Sequence, residues 1–264
     1  MESTKDYHFP FGEKLKKVHQ INTSPKKAFV LGVYASAVHA RWTDKNGVQK
    51  VAALAVASEP SIFWKGENAE GIISAIKIPA ELGSLTLPTN TMLNGPSGRA
   101  LDELYLKPLG LSRDNTWLCD LLPESRVNEQ QREAINTHYT EQIIKENALK
   151  LASIPYFEKS ELNSPDRREE ILKELEISQA ETIILLGDLP IYWFLRFYSD
   201  MKFSKLSDFG ETKETYGKPR IINLNGKSYN VISLCHPRQA GRLGSSSAKW
   251  GKLHEDWIKN VSSN

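Results

Sequence analysis

Short apolar runs in this 264-residue chain end in residues that can do chemistry. One run is followed by His236, a second contains Asp120 near its carboxyl end, a third is followed by Gly187-Asp188, and a fourth runs into residues 32–37. In sheets of parallel strands, ligands bind at the carboxyl ends of the strands. The sequence therefore predicts a site where these junctions meet.

The elements that must position these residues follow an α/β pattern. Short apolar runs alternate with helical patterns, which predicts a single three-layer domain with a mostly parallel central sheet flanked by helices. No repeat or interdomain linker is visible, so we expect one domain over residues 1–264, with a basic, partly ordered segment at 1–25. The predicted core strands are residues 28–33, 51–57, 116–122, 182–186 and 229–234.

Composition excludes several classes of protein. Hydrophobic residues make up 40% and charged residues 25% of the chain, as in globular proteins and unlike disordered or fibrous ones. No stretch approaches the roughly 18 apolar residues of a membrane span, and the amino terminus lacks the apolar core of a signal peptide. Two cysteines cannot build a disulfide framework or a four-thiolate iron–sulfur cluster. We expect a cytoplasmic monomer that does not bind membranes.

The net charge of +2 is unevenly distributed. A polyanion would use the basic stretches if the fold brings them together, whereas the alternative is that they are ordinary solvated faces. Charge alone leaves both interpretations open. One stretch contains Lys14, Lys16, Lys17, Lys26 and Lys27, and the other contains Arg238, Arg242, Lys249 and Lys252.

Five pieces of the sequence, in this order, resemble the uracil-DNA glycosylase superfamily. The resemblance covers most of residues 26–262 and is nearest to the thermophile-type branches, although the iron–sulfur cysteines are absent. The pieces are residues 94–102 (Asn-Gly-Pro-Ser-Gly-Arg-Ala-Leu-Asp), which look like a Gly-Pro-Ala-Gly-Arg helix start, residues 109–118, the strand at 182–187, His236-Pro237, which resembles a His-Pro-Ser motif, and residues 250–257.

The resemblance implies a hydrolase of the base-excision type. Such a DNA glycosylase flips a base out of DNA and breaks its N-glycosidic bond, which leaves an abasic site. His236 would be catalytic, its neutral imidazole stabilising the negative charge on the departing pyrimidine at O2. The residues expected to bind the base are Gly32, Val33, Tyr34, Ala35, Ser36 and Ala37. Those expected to contact DNA phosphates or wedge into the stack are Pro237, Arg238, Gln239, Arg242, Leu243 and Ser245.

Asp120 departs from the family pattern at an informative position. The resemblance places it where uracil glycosylases carry an asparagine that reads the base. A carboxylate accepts from the amino group of cytosine and repels uracil O4, and a protonated carboxyl also donates to cytosine N3. A mismatched buried polar pair costs about 1–3 kcal/mol. Asp120 therefore favours a cytosine-type base, unless its side chain turns away from the pocket.

The first motif departs further, because no carboxylate stands where the family positions a water. Asp44, Glu59 and Asp188 are the candidates at other strand ends. The small residues 35–37 would leave room beside C5 of a pyrimidine. Together with Asp120, this suggests a 5-modified cytosine, such as phage DNA contains, and a role in antiviral defence.

Other functions stay open at this level. One alternative is a uracil-excising repair enzyme, and another is a catalytically inactive DNA-binding member of the same fold. An unrelated nucleotide hydrolase is a third, although the chain lacks a Gly-x-x-x-x-Gly-Lys phosphate loop. The six histidines are scattered, so we expect no metal and no cofactor. No lysine stands in a nucleophile motif, so we expect a monofunctional enzyme without a lyase step.

Overall fold

The structure is a computed structural model that describes residues 6–241 and 247–262. The chain forms two compact units. Unit 1 comprises Met1–Val18, Ala35–Pro96 and Glu124–Glu158, and unit 2 comprises His19–Tyr34, Ser97–Pro123 and Lys159–Asn264. Each unit is therefore assembled from three separate stretches of the chain.

The described residues form eight strands and nine α-helices. The strands are β1 (Ala28–Tyr34), β2 (Ala37–Thr43), β3 (Gln49–Ser58), β4 (Ser84–Thr86), β5 (Thr116–Leu122), β6 (Thr182–Leu186), β7 (Arg220–Leu224) and β8 (Lys227–Leu234). The helices are α1 (Ala69–Ala75), α2 (Pro96–Ala100), α3 (Glu129–His138), α4 (Glu141–Glu146), α5 (Pro165–Ser178), α6 (Asp188–Pro190), α7 (Arg196–Tyr198), α8 (Pro237–Ala240) and α9 (Ser247–Val261). Two π-helical segments, Leu101–Leu106 and Ile191–Leu195, continue α2 and α6.

Unit 2 contains a five-stranded sheet in the order β5-β1-β6-β8-β7. β5, β1, β6 and β8 run parallel, and β7 pairs antiparallel with β8. The prediction of an α/β fold with a mostly parallel central sheet flanked by helices is confirmed at this level. The strands predicted at 116–122 and 182–186 have those bounds in the structure. β6 is apolar after Thr182, and β5 is apolar apart from Thr116 and Asp120; such runs are typical of strands that are buried on both faces.

The strand predicted at 51–57 exists as β3, but the expectation that it joins the parallel sheet is wrong. β3 lies in a separate three-stranded antiparallel sheet, in the order β3-β2-β4, within unit 1. Only residues 44–48 connect β2 to β3, and a connection this short permits antiparallel pairing alone. The Asp44 carboxylate accepts the Asn46 and Val48 amides in that turn.

Polar side chains complete the edges of the unit 1 sheet. The Gln131 side chain donates to Ala53 O at 2.7 Å and accepts from Ala55 N at 2.9 Å, so it takes the place of a strand beside β3. Asn94 does the same for β2, accepting from His39 N and donating to His39 O. These amides satisfy backbone groups that an exposed edge would leave unpaired.

The fifth strand of the unit 2 sheet is β7, which is not among the predicted core strands. β7 and β8 form a hairpin through Asn225-Gly226, both of which have positive φ angles, 50° and 83°. Asn-Gly in a two-residue connection is the preferred sequence of this type of turn. Among the described residues, no helix combines the length and the apolar composition needed to cross a membrane.

Candidate functional site

The carboxyl ends of four parallel strands of unit 2 meet at one edge of its sheet. Gly32 of β1 pairs in register with Asp120 of β5, and Leu186 of β6 pairs with Leu234 of β8. His236 follows two residues after the end of β8. Three strand spacings separate β5 from β8, which is about 14 Å. The structure thus places Asp120 and His236 at the same edge of one sheet.

Asp120 presents a buried carboxyl that has no partner. Its side chain is 3% exposed, and neither carboxyl oxygen accepts a hydrogen bond from residues 6–241 or 247–262; Oδ1 is fully shielded from solvent. Its neighbours Trp117 and Cys119 point to the face covered by α5, so the alternation of a strand sends Asp120 to the opposite face. A buried polar group without a partner costs about 1–3 kcal/mol, and this cost marks Asp120 as a position for a ligand.

Burial raises the pKa of Asp120 from its ordinary value near 3.8 to about 7. Arg167 opposes this increase and Glu174 adds to it. The carboxyl therefore exchanges its proton near neutral pH, and its protonated form carries one O–H donor beside one acceptor oxygen. A carboxyl of this kind can both read a base and supply a proton.

Arg167 contacts β5 from the face that α5 covers. Its Nη2 donates to the main-chain oxygen of Asp120 at 2.7 Å and lies 3.2 Å from Cys119 Sγ, while Nη1 pairs with Glu170 and Glu174. The guanidinium therefore fixes the backbone of Asp120 and leaves its carboxyl free of an ion pair. The sequence gives no signal for this role of Arg167, which the packing of α5 against β5 reveals.

His236 is held as a neutral imidazole with one defined tautomer. Its Nδ1 accepts a hydrogen bond from Arg238 N at 3.2 Å, so the ring proton resides on Nε2. Burial, and to a smaller extent the Arg238 cation, lower the pKa of His236 to about 4. No residue of 6–241 or 247–262 makes a hydrogen bond to Nε2. The geometry leaves an N–H donor that is available to a ligand.

Gly187 packs against His236 from the end of β6. A Cβ at Gly187 would lie 3.3 Å from His236 Cβ, and its φ of 89° with ψ of −171° belongs to a region that essentially only glycine adopts. Its amide donates to Leu234 O at 2.8 Å. The glycine lets β6 end close beside β8, directly before the histidine.

No protein-family model matches this chain, and no curated protein matches it. Residues 6–241 and 247–262 contain no group of three or more His, Cys, Asp or Glu side chains placed to hold a metal ion.

The remaining residues predicted to bind the base divide between the two units. Gly32, Val33 and Tyr34 end β1 in unit 2, where Val33 is buried and Tyr34 is 36% exposed. Ala35, Ser36 and Ala37 belong to unit 1: Ala37 packs in a small apolar cluster, and Ser36 O accepts a hydrogen bond from the Ser125 hydroxyl. Their role in base binding stays a prediction.

Three of the residues predicted to contact DNA form the start of α8. Pro237 is buried, Arg238 is exposed and has no ion pair within the described chain, and Gln239 accepts from His236 N at 3.1 Å. Arg238 is thus free to meet a phosphate, while Gln239 fixes the histidine backbone. The other three, Arg242, Leu243 and Ser245, lie outside the described residues.

Several cations of the basic stretches, and Asp188 among the candidates for positioning water, make hydrogen bonds or ion pairs within the protein. Lys26 is buried and donates to Asp114 O, and Lys249 and Lys252 pair with Glu211 and Asp256. The Asp188 carboxylate accepts from Leu206 N at 2.7 Å and so caps a helical turn. Each stretch thus contains cations that are engaged in structural contacts, and the Asp188 carboxylate is engaged in a turn.

Proposed function

We propose that this chain is a monofunctional DNA glycosylase that hydrolyses the N-glycosidic bond of a flipped pyrimidine and leaves an abasic site. A cytosine-type base, or a cytosine modified at C5, is favoured over uracil. One observation carries the proposal: an unpartnered buried carboxyl at Asp120 and an unengaged Nε2–H at His236 stand at the same edge of one parallel sheet. The proposal includes a three-layer fold like that of the uracil-DNA glycosylases and a monomer in the cytoplasm.

His236 supports the departure of the base. As the glycosidic bond breaks, its electron pair moves to N1 of the base, and negative charge spreads to O2. The neutral imidazole donates its Nε2–H to that oxygen, in a partly buried site where such a hydrogen bond is stronger than in water. Because the pKa of His236 is about 4, the ring keeps this role over the whole neutral range.

Asp120 reads the base and supplies a proton. The acceptor oxygen of the protonated carboxyl takes a hydrogen bond from the cytosine amino group, and its O–H donates to N3. Transfer of that proton to N3 lets cytosine leave as a neutral molecule. Water adds to C1′ of the sugar and loses a proton to solvent, and Asp120 regains its proton from solvent. The raised pKa of Asp120 makes the carboxyl a capable acid near neutral pH.

Gly32 supports the proposal that the ring of the flipped base lies beside Asp120. It is the register partner of Asp120 on the neighbouring strand and has no side chain, so no β1 side chain stands beside the carboxyl at this position. In the proposed complex, the base lies against the main chain of Gly32. In DNA, the exposed Arg238 at the start of α8 would meet a phosphate next to the flipped nucleotide.

A substrate panel tests the proposal. Short duplexes and single strands carrying uracil, cytosine, 5-hydroxymethylcytosine or its glucosylated form are incubated with the protein, and alkali then cleaves any abasic site. We expect cleavage at the cytosine-type bases, its loss in His236→Ala, and full activity in His19→Ala, a control at an exposed histidine. Cleavage at uracil alone would overturn the assigned base. DNA binding without any abasic product would favour the inactive DNA-binding alternative.

A further inference from the structure

The residue before His236 has no strand partner but is held by two buried tyrosines. β8 ends at Leu234, so Cys235 lies one residue beyond the last paired position of the sheet. Its N–H donates to Tyr216 Oη at 2.9 Å, and its C=O accepts from Tyr105 Oη at 2.8 Å. Both tyrosines are almost fully buried, at 2% and 0% exposure. Two hydrogen bonds thus fix the peptide groups of Cys235 where the β-ladder no longer does.

A buried histidine continues this arrangement. Because Tyr216 Oη accepts from Cys235, its own proton points to His254 Nδ1, which lies 2.8 Å away. The other ring nitrogen, Nε2, then carries a proton and donates to Leu104 O at 3.0 Å. Burial lowers the pKa of His254 to about 4, which keeps the ring neutral. In this series of hydrogen bonds, which runs from Cys235 N–H through Tyr216 and His254 to Leu104 O, every group has a partner. The donor and the acceptor of each hydrogen bond are defined.

Aromatic packing leaves the histidine no freedom to turn. The His254 ring lies against Tyr105, with ring centroids 4.4 Å apart, and against Trp257 at 5.1 Å. His254 and Trp257 are both on α9, and Tyr105 is on the π-helical segment after α2. The position of Cys235 is therefore tied to two helices of unit 2 that carry none of the proposed catalytic residues.

We propose that Tyr216 and His254 are positioning residues: they fix the main chain of Cys235 and so aim the His236 imidazole at the departing base. This inference rests on the proposed function. Apolar side chains of similar shape would fill the same space, but only hydrogen bonds to the N–H and C=O of Cys235 set the rotation of its peptide groups. A misplacement of about 1 Å at a catalytic group can cost about 100-fold in rate.

The test compares two Tyr→Phe variants. Tyr216→Phe removes the hydroxyl that links Cys235 to His254. Tyr229→Phe is the matched control, because Tyr229 is also buried in unit 2, on β8, and its hydroxyl makes no hydrogen bond in the described chain. A second pair tests His254: His254→Asn keeps an acceptor for Tyr216, whereas His254→Leu removes it. Each variant is measured for single-turnover base release, DNA affinity, and the ¹⁵N signals of the His236 ring.

The expected pattern separates positioning from general stability. Tyr216→Phe and His254→Leu should release base about tenfold more slowly or worse, with DNA affinity unchanged within twofold. Tyr229→Phe should match the wild type, and His254→Asn should recover much of the rate. The His236 signals should report a single Nε2–H tautomer in the wild type and in Tyr229→Phe, and a mixture of tautomers in Tyr216→Phe.

Each result decides one of the two proposals. Identical His236 signals and rates in Tyr216→Phe and Tyr229→Phe would overturn the positioning role. If the wild type releases no base from any DNA, the proposed function fails, while the ring signals still decide whether Tyr216 orders His236. An equal loss of rate in all four variants would indicate a packing effect and would also overturn the positioning role.

Discussion

Gly32 and Asp120 are register partners on adjacent parallel strands, so the residue of β1 beside the buried carboxyl carries no side chain. Arg167 holds the other side of the same strand through the main-chain oxygen of Asp120. The carboxyl is thus fixed in place and desolvated but has no partner within the described chain. In a folded protein, an arrangement of this cost is typical of a site that a ligand completes.

Replacement of Asp120 by asparagine should change both specificity and pH dependence. The wild-type rate should fall as pH rises through about 7, because the carboxyl loses the proton that it gives to N3. Asp120→Asn should lack this alkaline limb, lose most activity on cytosine-type bases and gain activity on uracil, whose N3–H and O4 match an amide. Both effects are tested by measuring the rate of base release from pH 5 to pH 9 on matched cytosine-type and uracil substrates. An unchanged alkaline limb in the variant would contradict the assignment.

The same substitution should stabilise the fold at alkaline pH. The pKa of Asp120 is raised on folding, so the folded state binds more protons between about pH 4 and pH 7, and stability falls as pH rises through this window. The loss is complete above the folded pKa and amounts to at most about 4 kcal/mol, at about 1.36 kcal/mol per pKa unit. Urea unfolding at pH 5 and pH 8 should show a larger gain of Asp120→Asn over the wild type at pH 8 than at pH 5. An equal difference at both pH values would contradict the raised pKa.

Removal of the Arg167 charge should move the alkaline limb to higher pH. Arg167 opposes the increase in the pKa of Asp120. Without its charge, Glu174 would raise that pKa unopposed. Arg167→Gln should therefore remain active at a pH where the wild type has lost activity, although its fold is less stable because a buried ion pair is broken. Arg167→Lys, which keeps the charge, should retain the wild-type limb. A limb displaced to lower pH in Arg167→Gln would refute the electrostatic account.

Gly187→Ala should impair both stability and catalysis. The φ of 89° at this position is strained for any residue with a Cβ, at a cost of about 1–3 kcal/mol. The new methyl group would also press on His236 Cβ, 3.3 Å away. Thermal unfolding and single-turnover rates measure the two effects. Gly226→Ala is the control, because that glycine also has a positive φ but its Cβ would meet no atom; it should lose stability and keep the rate.

Much of the unit 2 sheet was predictable from local pattern. The bounds of β5 and β6 follow from runs of mostly apolar residues, and the site edge follows from the rule for parallel strands. β2 was missed because His39 and Arg41 interrupt its apolar residues, and without β2 nothing showed that β3 pairs antiparallel. The Asn225-Gly226 turn was a readable signal for β7.

The supports of the site were not predictable, because they depend on contacts between distant parts of the chain. Tyr216 lies in a segment without a motif, and the resemblance at residues 250–257 assigns no role to His254; only folding brings the two to Cys235. The tautomer of His236 depends on the turn made by Arg238, and the pKa of Asp120 depends on complete burial. A sequence pattern indicates which residue types stand at strand ends, but it does not indicate their solvation.

The most direct test of the central claim is a mass balance on one substrate. DNA containing a single 5-hydroxymethylcytosine is incubated with the wild-type protein at pH 6, where Asp120 is mostly protonated and His236 is neutral. Mass spectrometry then quantifies the free base and the remaining strand. We expect one free base for each abasic site, and neither product with His236→Ala. Release of a nucleotide or nucleoside, or bound DNA that stays intact at every pH, would contradict it.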